Sequence, residues 1–260
     1  WASFPCQDLS LAGGGAGLEG TRSGTFYSFW HIIKKLSTDG RAPNVIVLEN
    51  VCGALTSHNG KDFQSICQTF LEHDYDFGAL IIDAADFVPQ SRKRLFLIGV
   101  QKSASIPVSL TSDCPVEPFH SRALRNAVNL LPEALRQKFL WWNLPTPPRS
   151  KMTFSEIIEE TPADVSWHEK SETDKLLRMM SDVNLAKVNA AQRAGRRMVG
   201  SLYRRTRRNE NDQRVQRAEV RFDDVAGCLR TPGGGSSRQT IIVVDGRHVR
   251  TRLISSRETA

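Results

Sequence analysis

Asn44-Val45-Ile46-Val47-Leu48-Glu49-Asn50-Val51 is the stretch on which the fold turns. Its aliphatic run, Val45 to Leu48, is too short for a helix. It is bounded by polar residues and reads as a strand over Asn44–Leu48, with the composition of a parallel strand buried on both faces. Moving outward, helix and strand signals alternate. Toward the N-terminus, Thr25 to Leu36 sets Phe26, Phe29, Trp30, Ile33 and Leu36 at helical spacing. Toward the C-terminus, Asp62 to Leu71 carries Phe63, Ile66, Phe70 and Leu71 as a second helix. Ala79–Ile82 and Leu95–Val100 are further strand-like runs. Strands alternating with helices predict an α/β sheet with helices on both faces.

The texture changes near Ile106. Prolines 107, 115, 118, 132, 145, 147, 148 and 162 divide the segment into short pieces, and adjacent Trp141 and Trp142 point to a local cluster. A second, smaller and irregular domain or a long insertion is expected here. Ser171 to about Val199 reads as helical, with Ser171 three residues before Asp174 as a cap signal. The last fifty residues are strand-like. Val220 and Phe222 alternate with charges, and Ile241–Val244 is followed by Asp245-Gly246, a hairpin signal, and then by Val249 and Leu253. No internal repeat is present.

Composition narrows the class. With 260 residues, 40% apolar and 24% charged, the chain can bury a core and is not a disordered polymer. No apolar run approaches the ~20 residues that span a bilayer, and no basic-then-apolar leader is present. The five cysteines, Cys6, Cys52, Cys67, Cys114 and Cys228, are irregularly spaced without a C-x-x-C pair. That usage suits a reducing cytoplasm and predicts no metal site. The net charge of +7 is concentrated: residues 193–217 hold nine arginines, no lysine and two acids, while the other 235 residues balance, 26 basic against 26 acidic. Such a run has the composition of a phosphate-binding strip. A solvated helix end or a mobile loop is the other reading.

Four stretches carry residue types suited to chemistry. In Phe4-Pro5-Cys6-Gln7, a cysteine follows proline and precedes Gln7, Asp8, Ser10 and Gly13-Gly14-Gly15. This reads as a loop with an accessible thiol, against the commoner role of cysteine as a small buried hydrophobe. Glu49 and Asn50 follow the central strand, where crevices form in α/β sheets. Burial there would raise a carboxyl toward acid catalysis, whereas a helix cap is the plain alternative. In Pro89-Gln90-Ser91-Arg92-Lys93-Arg94, extended geometry puts Arg92 and Arg94 on one face; a charged turn is the alternative. Leu229-Arg230-Thr231-Pro232-Gly233-Gly234-Gly235-Ser236-Ser237-Arg238 lacks the P-loop lysine pattern and reads as a loop allowing close backbone approach to nucleic acid, or as a flexible turn.

Taken together and in this order, the stretches resemble the DNA cytosine-5 methyltransferase family of bacterial restriction-modification type. Arg22-Ser23-Gly24-Thr25-Phe26 is similar to a further family motif. Leu229 to Gln239 and Arg252-Leu253-Ile254-Ser255-Ser256-Arg257-Glu258 are similar to a later one. The resemblance implies a partial Rossmann-like methyltransferase sheet in residues 1–105 and a target-recognition region in residues 106–260. The variable part of that region would be 106–218 and the family-like part 219–260.

The resemblance also implies the chemistry: transfer of a methyl group from S-adenosylmethionine to carbon 5 of a cytosine flipped out of double-stranded DNA. Cys6 would be the nucleophile at carbon 6, and Glu49 the acid at nitrogen 3. Arg94, supported by Arg92, would donate to the base's carbonyl oxygen, and Asn50 would orient the Pro5-Cys6 loop. Pro5 and Phe26 would touch the cofactor. Gln7 and Ser10 belong to a loop closing over the extruded base. Arg204, Arg205, Arg207, Arg208, Arg230, Gly234, Gly235, Ser236, Ser237 and Arg238 would hold DNA. A cognate restriction endonuclease is an expected partner. Two alternatives accompany this reading: an RNA (tRNA) cytosine-5 methyltransferase, and a non-catalytic DNA-binding fragment. The family's cofactor-binding strand–turn–helix unit and its last helix have no counterpart in the chain. It is therefore expected to be an inactive fragment of an active enzyme.

Overall fold

The computed structural model describes residues 1–5, 25–148, 152–229 and 239–259. They form two compact units, residues 1–83 with 93–147, and residues 84–92 with 148–260.

In the first unit, α1 (Thr25–Thr38) and α2 (Lys61–Glu72) form where the apolar spacing requires them. The strands are β1 (Ala2–Ser3), β2 (Val45–Val51), β3 (Tyr75–Asp83), β4 (Lys93–Gln101), β5 (Thr111–Ser112) and β6 (Phe139–Trp142). Their order in the sheet is β1-β2-β4-β3-β6-β5. The sheet is mixed. β2 runs parallel to β1, and β3 runs parallel to β6, but β4 lies antiparallel between β2 and β3.

This corrects the reading of β2 as a strand buried on both faces. Its burial alternates, with Ile46, Leu48 and Asn50 inside and Val47, Glu49 and Val51 only half-buried. The strand also continues through Glu49 and Asn50, because the β4 ladder holds all seven of its residues. Helices cover one face rather than two among the described residues. Phe26, Trp30 and Ile33 of α1, Ile66 and Phe70 of α2, and Leu124 and Val128 of α3 (Arg122–Asn129) share one core with Ile46, Leu48, Leu95 and Leu97. On the opposite face Leu80, Ile82, Phe96 and Ile98 are covered by Phe119, Ile106, Leu144 and Trp142. The tryptophan pair is therefore a strand feature: period-2 alternation in β6 sends Trp141 to the first core and Trp142 to the second. The short α4 (Glu133–Arg136) precedes β6.

The second unit contains α5 (Phe154–Ile157), α6 (Lys170–Arg178), α7 (Asp182–Arg193) and a four-stranded antiparallel sheet. Its strands are β7 (Met198–Arg208), β8 (Arg214–Arg221), β9 (Thr240–Asp245) and β10 (His248–Leu253), in the order β10-β9-β7-β8. The helical reading of Ser171 to about Val199 holds for α6 and α7, and its last residues, Met198 and Val199, already belong to β7. The N-cap of α6 is Glu169, not Ser171, and Met179 ends the helix so that its carbonyl can accept from the Ala218 amide at 3.1 Å. Gly195, in the left-handed region at φ +65°, ends α7 and lets the chain turn into β7. Of the arginine run, Arg193 closes α7 and Arg196 and Arg197 lie in the connection to β7, while the other six arginines are strand residues. Residues 198–217 form β7, the turn after it and the first half of β8, and the hairpin signal at Asp245-Gly246 joins β9 to β10.

Sheet packing uses both faces. Leu202, Ala218, Val220, Ile242 and Val244 pack with Val188 and Ala191 of α7. Val199, Ile241 and Val243 pack with Phe154 and Ala226. A buried ion pair fastens the end of the chain. Arg252 Nη2 lies 2.5 Å from Glu258 Oε1, with both side chains fully enclosed. Arg252 also donates to the Glu159 and Leu253 carbonyls, and Glu258 accepts from the Ser255 and Glu159 amides. Among the described residues, no helix is long and apolar enough to cross a membrane, and no group of His, Cys, Asp and Glu could hold a metal ion.

Candidate active site

Alternation along β2 turns Glu49 and Asn50 to opposite faces, and each meets different partners. Ser3 is opposite Glu49 in the parallel β1–β2 ladder, and Arg94 is opposite Val51, which shares the Glu49 face. Glu49 Oε1 is 2.8 Å from Arg94 Nε, and Glu49 Oε2 accepts a hydrogen bond from Ser3 Oγ at 2.5 Å. The Glu49 side chain is 19% exposed and that of Arg94 17%. The setting expected from sequence was burial alone; what surrounds this carboxylate is an ion pair and a hydroxyl donor. Arg94 Nη1 is further fixed by the Lys93 carbonyl at 2.9 Å.

Asn50 points into the core and is 2% exposed. Its Nδ2 donates to the Phe4 carbonyl at 3.1 Å, and its Oδ1 accepts from the Val51 amide at 2.8 Å. The amide thereby ties the end of β2 to the residue before Pro5. Phe4 packs on Phe26 with ring centroids 5.3 Å apart, and Phe26 on Trp30 at 6.2 Å. Phe26 is fully buried, so its ring belongs to the core and presents no face to a cofactor. Pro5 is exposed. Cys6, Gln7 and Ser10 lie outside the described residues, as do Arg230, Gly234, Gly235, Ser236, Ser237 and Arg238.

Cys52, directly after β2, is a different thiol near the pair. Burial pushes it up from its ordinary value, against the lowering pull of Arg94 and Lys93, so it stays protonated and is a poor nucleophile. Sequence reasoning missed Ser3, whose role depends on register alone: nothing in Ala2-Ser3-Phe4 marks it until β1 is paired with β2.

In the second unit, Arg92 has a different task from Arg94. It precedes the first residue of β4, outside the regular pleat, so two-residue alternation does not place it beside Arg94. Its Nη1 donates to Cys228 Sγ at 3.0 Å and reaches the Leu229 carbonyl at 3.5 Å. The adjoining backbone pairs with the same stretch: the Ser91 amide donates to Ala226, and the Ala226 amide to Pro89, each at 2.8 Å. The turn that carries Gln90 and Arg92 is therefore held to residues 226–229, immediately before the glycine-rich stretch. Arg204, Arg205, Arg207 and Arg208 are exposed along β7.

A profile of C-5 cytosine-specific DNA methylases matches residues 1–260. The chain belongs to this family. Among curated DNA methylases, the Type II methyltransferase M.NgoFVII of Neisseria gonorrhoeae is 27% identical over 221 residues, 82% of this chain and 50% of that protein. The Type II methyltransferase M1.ScrFI of Lactococcus lactis subsp. cremoris is 34% identical over 102 residues, 39% of this chain and 25% of that one. Over these two relatives, the chain spans a quarter to a half of the length of the protein it matches. A solved structure, the S. pombe Dnmt2 methyltransferase, aligns with a TM-score of 0.40 at 15% identity, covering 69% of this chain and 46% of that chain.

Proposed function

We propose that the protein methylates carbon 5 of cytosine in double-stranded DNA, with Cys6 as the nucleophile and Glu49, Arg94 and Asn50 around the base. The observation that carries this reading is the Ser3–Glu49–Arg94 constellation, tied through Asn50 to the residue before Pro5-Cys6, in a chain of the DNA methylase family.

The chemistry follows from the base. Carbon 5 of an aromatic pyrimidine is a weak nucleophile. Addition of the Cys6 thiolate at carbon 6 breaks the 5,6 double bond and moves its electron pair to carbon 5. The negative charge that reaches the ring is relieved at nitrogen 3, where Glu49 supplies and later recovers a proton. Arg94, fixed by Glu49 and the Lys93 carbonyl, donates to the base's carbonyl oxygen. Asn50 holds the Phe4 carbonyl and with it the start of the Cys6 loop. After methylation, loss of the carbon 5 proton returns its electron pair to the ring and expels Cys6 as thiolate.

S-adenosylmethionine, the family's methyl donor, supplies the methyl group as an electrophile. Of the two contacts expected for it, exposed Pro5 fits a fringe contact and enclosed Phe26 does not. Phe26 instead backs Phe4. Residues 106–260 serve target recognition, with the turn at Gln90 and Arg92 and the stretch through Arg238 holding DNA. Type II methyltransferase relatives support a cytoplasmic role beside a cognate restriction endonuclease.

The test is covalent trapping. Full-length protein incubated with S-adenosylmethionine and duplexes carrying 5-fluorocytosine is expected to form an adduct that survives denaturing electrophoresis, because fluorine cannot leave as the carbon 5 proton does. Cys6→Ser should remove the adduct. Absence of an adduct with the parent protein, or its persistence in Cys6→Ser, refutes the mechanism.

A further inference from the structure

The β7–β8 pair changes character along its length. From Met198 to Leu202, β7 pairs with β9, and at Ser201 and Leu202 it pairs with β8 as well. Beyond Leu202 it pairs with β8 alone, from Tyr203 opposite Glu219 to Arg208 opposite Arg214. Six residue pairs at about 3.4 Å each make a two-stranded ribbon roughly 20 Å long. Its tip is closed by hydrogen bonds: the Asn209 amide donates to the Gln213 carbonyl at 3.0 Å. Asn209 Oδ1 accepts from the Asn211 and Gln213 amides at 3.1 and 2.8 Å. A ribbon of this kind fits the major groove of B-DNA, about 12 Å wide.

Register divides the arginines between two faces. Tyr203 with Glu219, Arg205 with Arg217, and Arg207 with Val215 form one; Arg204 with Ala218, Thr206 with Gln216, and Arg208 with Arg214 form the other. The faces differ in chemistry. On the first, Glu219 is shared: its Oε1 takes Arg207 Nη2 at 2.5 Å and Nε at 2.6 Å, and its Oε2 takes Arg205 Nε at 3.3 Å. Arg205 also lies over the Tyr203 ring, 5.5 Å from its centroid. That ring is itself anchored. Its hydroxyl is bonded by Ser201 and Gln239, and Gly227 passes so close that a Cβ there would sit 1.4 Å from the hydroxyl oxygen. On the second face Arg208 pairs with Asp212, while Arg204 and Arg214 have no acidic partner among the described residues.

A carboxylate within 3.5 Å of a guanidinium repels a phosphate that approaches it, yet leaves both terminal amino groups of Arg205, and on Arg207 Nη1 and the outer hydrogen of Nη2, to donate to neutral acceptors. Holding two arginines to one carboxylate also removes rotamer freedom before binding, which favours bidentate donation to guanine O6 and N7. Unpaired arginines near the open edges of a ribbon are suited instead to the phosphates that wall the groove. We propose that the β7–β8 ribbon enters the DNA major groove, where Arg205 and Arg207, held by Glu219, read guanine while Arg204 and Arg214 contact flanking phosphates. This rests on the DNA methyltransferase reading and names the reader within it.

The experiment uses full-length protein and a pool of duplexes with randomised positions, sequenced before and after binding, together with affinity measured across a salt series. The parent protein should enrich a guanine-containing site. Arg205→Lys with Arg207→Lys should keep the salt slope and lose enrichment at one or two guanines, by roughly ten- to a hundred-fold each. Glu219→Gln should weaken the same discrimination while raising affinity for the unselected pool. Arg204→Ala with Arg214→Ala should leave the enriched site unchanged and reduce the salt slope by about one unit per arginine. Enrichment retained in the lysine pair, or lost in the alanine pair, overturns the assignment. So does a parent protein that enriches nothing yet forms the 5-fluorocytosine adduct. The expected enrichment pattern in a protein that forms no adduct would uphold the ribbon and reject the methylation chemistry.

Discussion

Glu258 shows how one carboxylate can set the acid limit of a unit. Burial alone would raise its pKa; hydrogen bonds from Arg252 and from the Ser255 and Glu159 amides outweigh it and bring the pKa below the ordinary 4.5. A carboxyl lowered on folding stabilises the folded state above its unfolded value, and that contribution disappears as pH falls through the lowered one. Glu258→Gln removes this dependence and leaves the fully enclosed Arg252 guanidinium without a counter-charge. Urea unfolding at pH 7 is expected to show a loss of roughly 3–5 kcal/mol for the variant. The gap to the parent protein should narrow below pH 4.5, where the parent's own carboxylate titrates. Nothing in the sequence distinguishes Arg252 and Glu258 from the surface charges around them, because an ion pair becomes buried only when residues distant in sequence close over it.

At the scale of elements, periodicity was legible and pairing was not. Both N-terminal helices, Thr25–Thr38 and Lys61–Glu72, follow from apolar spacing that a single face dictates. The strands at 45, 75 and 93 follow from short aliphatic runs. Pairing direction is a long-range property, so the insertion of β4 antiparallel between β2 and β3 leaves no local trace. That insertion is what brings the start of β4, with Arg94, to the end of β2, with Glu49. The arginine run misleads for the same reason. Charge composition suggests a solvated helix end or loop, whereas six of its nine arginines lie on strands whose ladder is fixed to the core by Leu202 on β7 and by Ala218 and Val220, two apart on β8. Of the candidate site, the motif order exposed Glu49, Asn50 and Arg94; Ser3, Glu219 and the bonds from Arg92 to residues 228 and 229 required register and turns.

Charge is unequally distributed over the whole molecule. Residues 1–83 and 93–147 carry twelve basic and twelve acidic residues; residues 84–92 and 148–260 carry 23 and 16. The unit with Glu49 and Arg94 is neutral, and all of the +7 belongs to the unit with the ribbon. Replacing Arg204, Arg205, Arg207 and Arg208 together by alanine leaves +3 and is expected to weaken DNA binding and flatten its salt dependence. The 5-fluorocytosine adduct should still form once DNA is raised to saturation.

The opposite facing of Glu49 and Asn50 along β2 has a further consequence: their order matters as much as their identity. Exchanging them, Glu49→Asn with Asn50→Glu, preserves composition, mass and net charge. It would nevertheless bring a carboxylate against the Phe4 carbonyl inside an aromatic core and offer Arg94 an uncharged amide. The exchanged protein should unfold at lower urea than the parent and trap no 5-fluorocytosine, which makes it an isomeric control for any assay of this site.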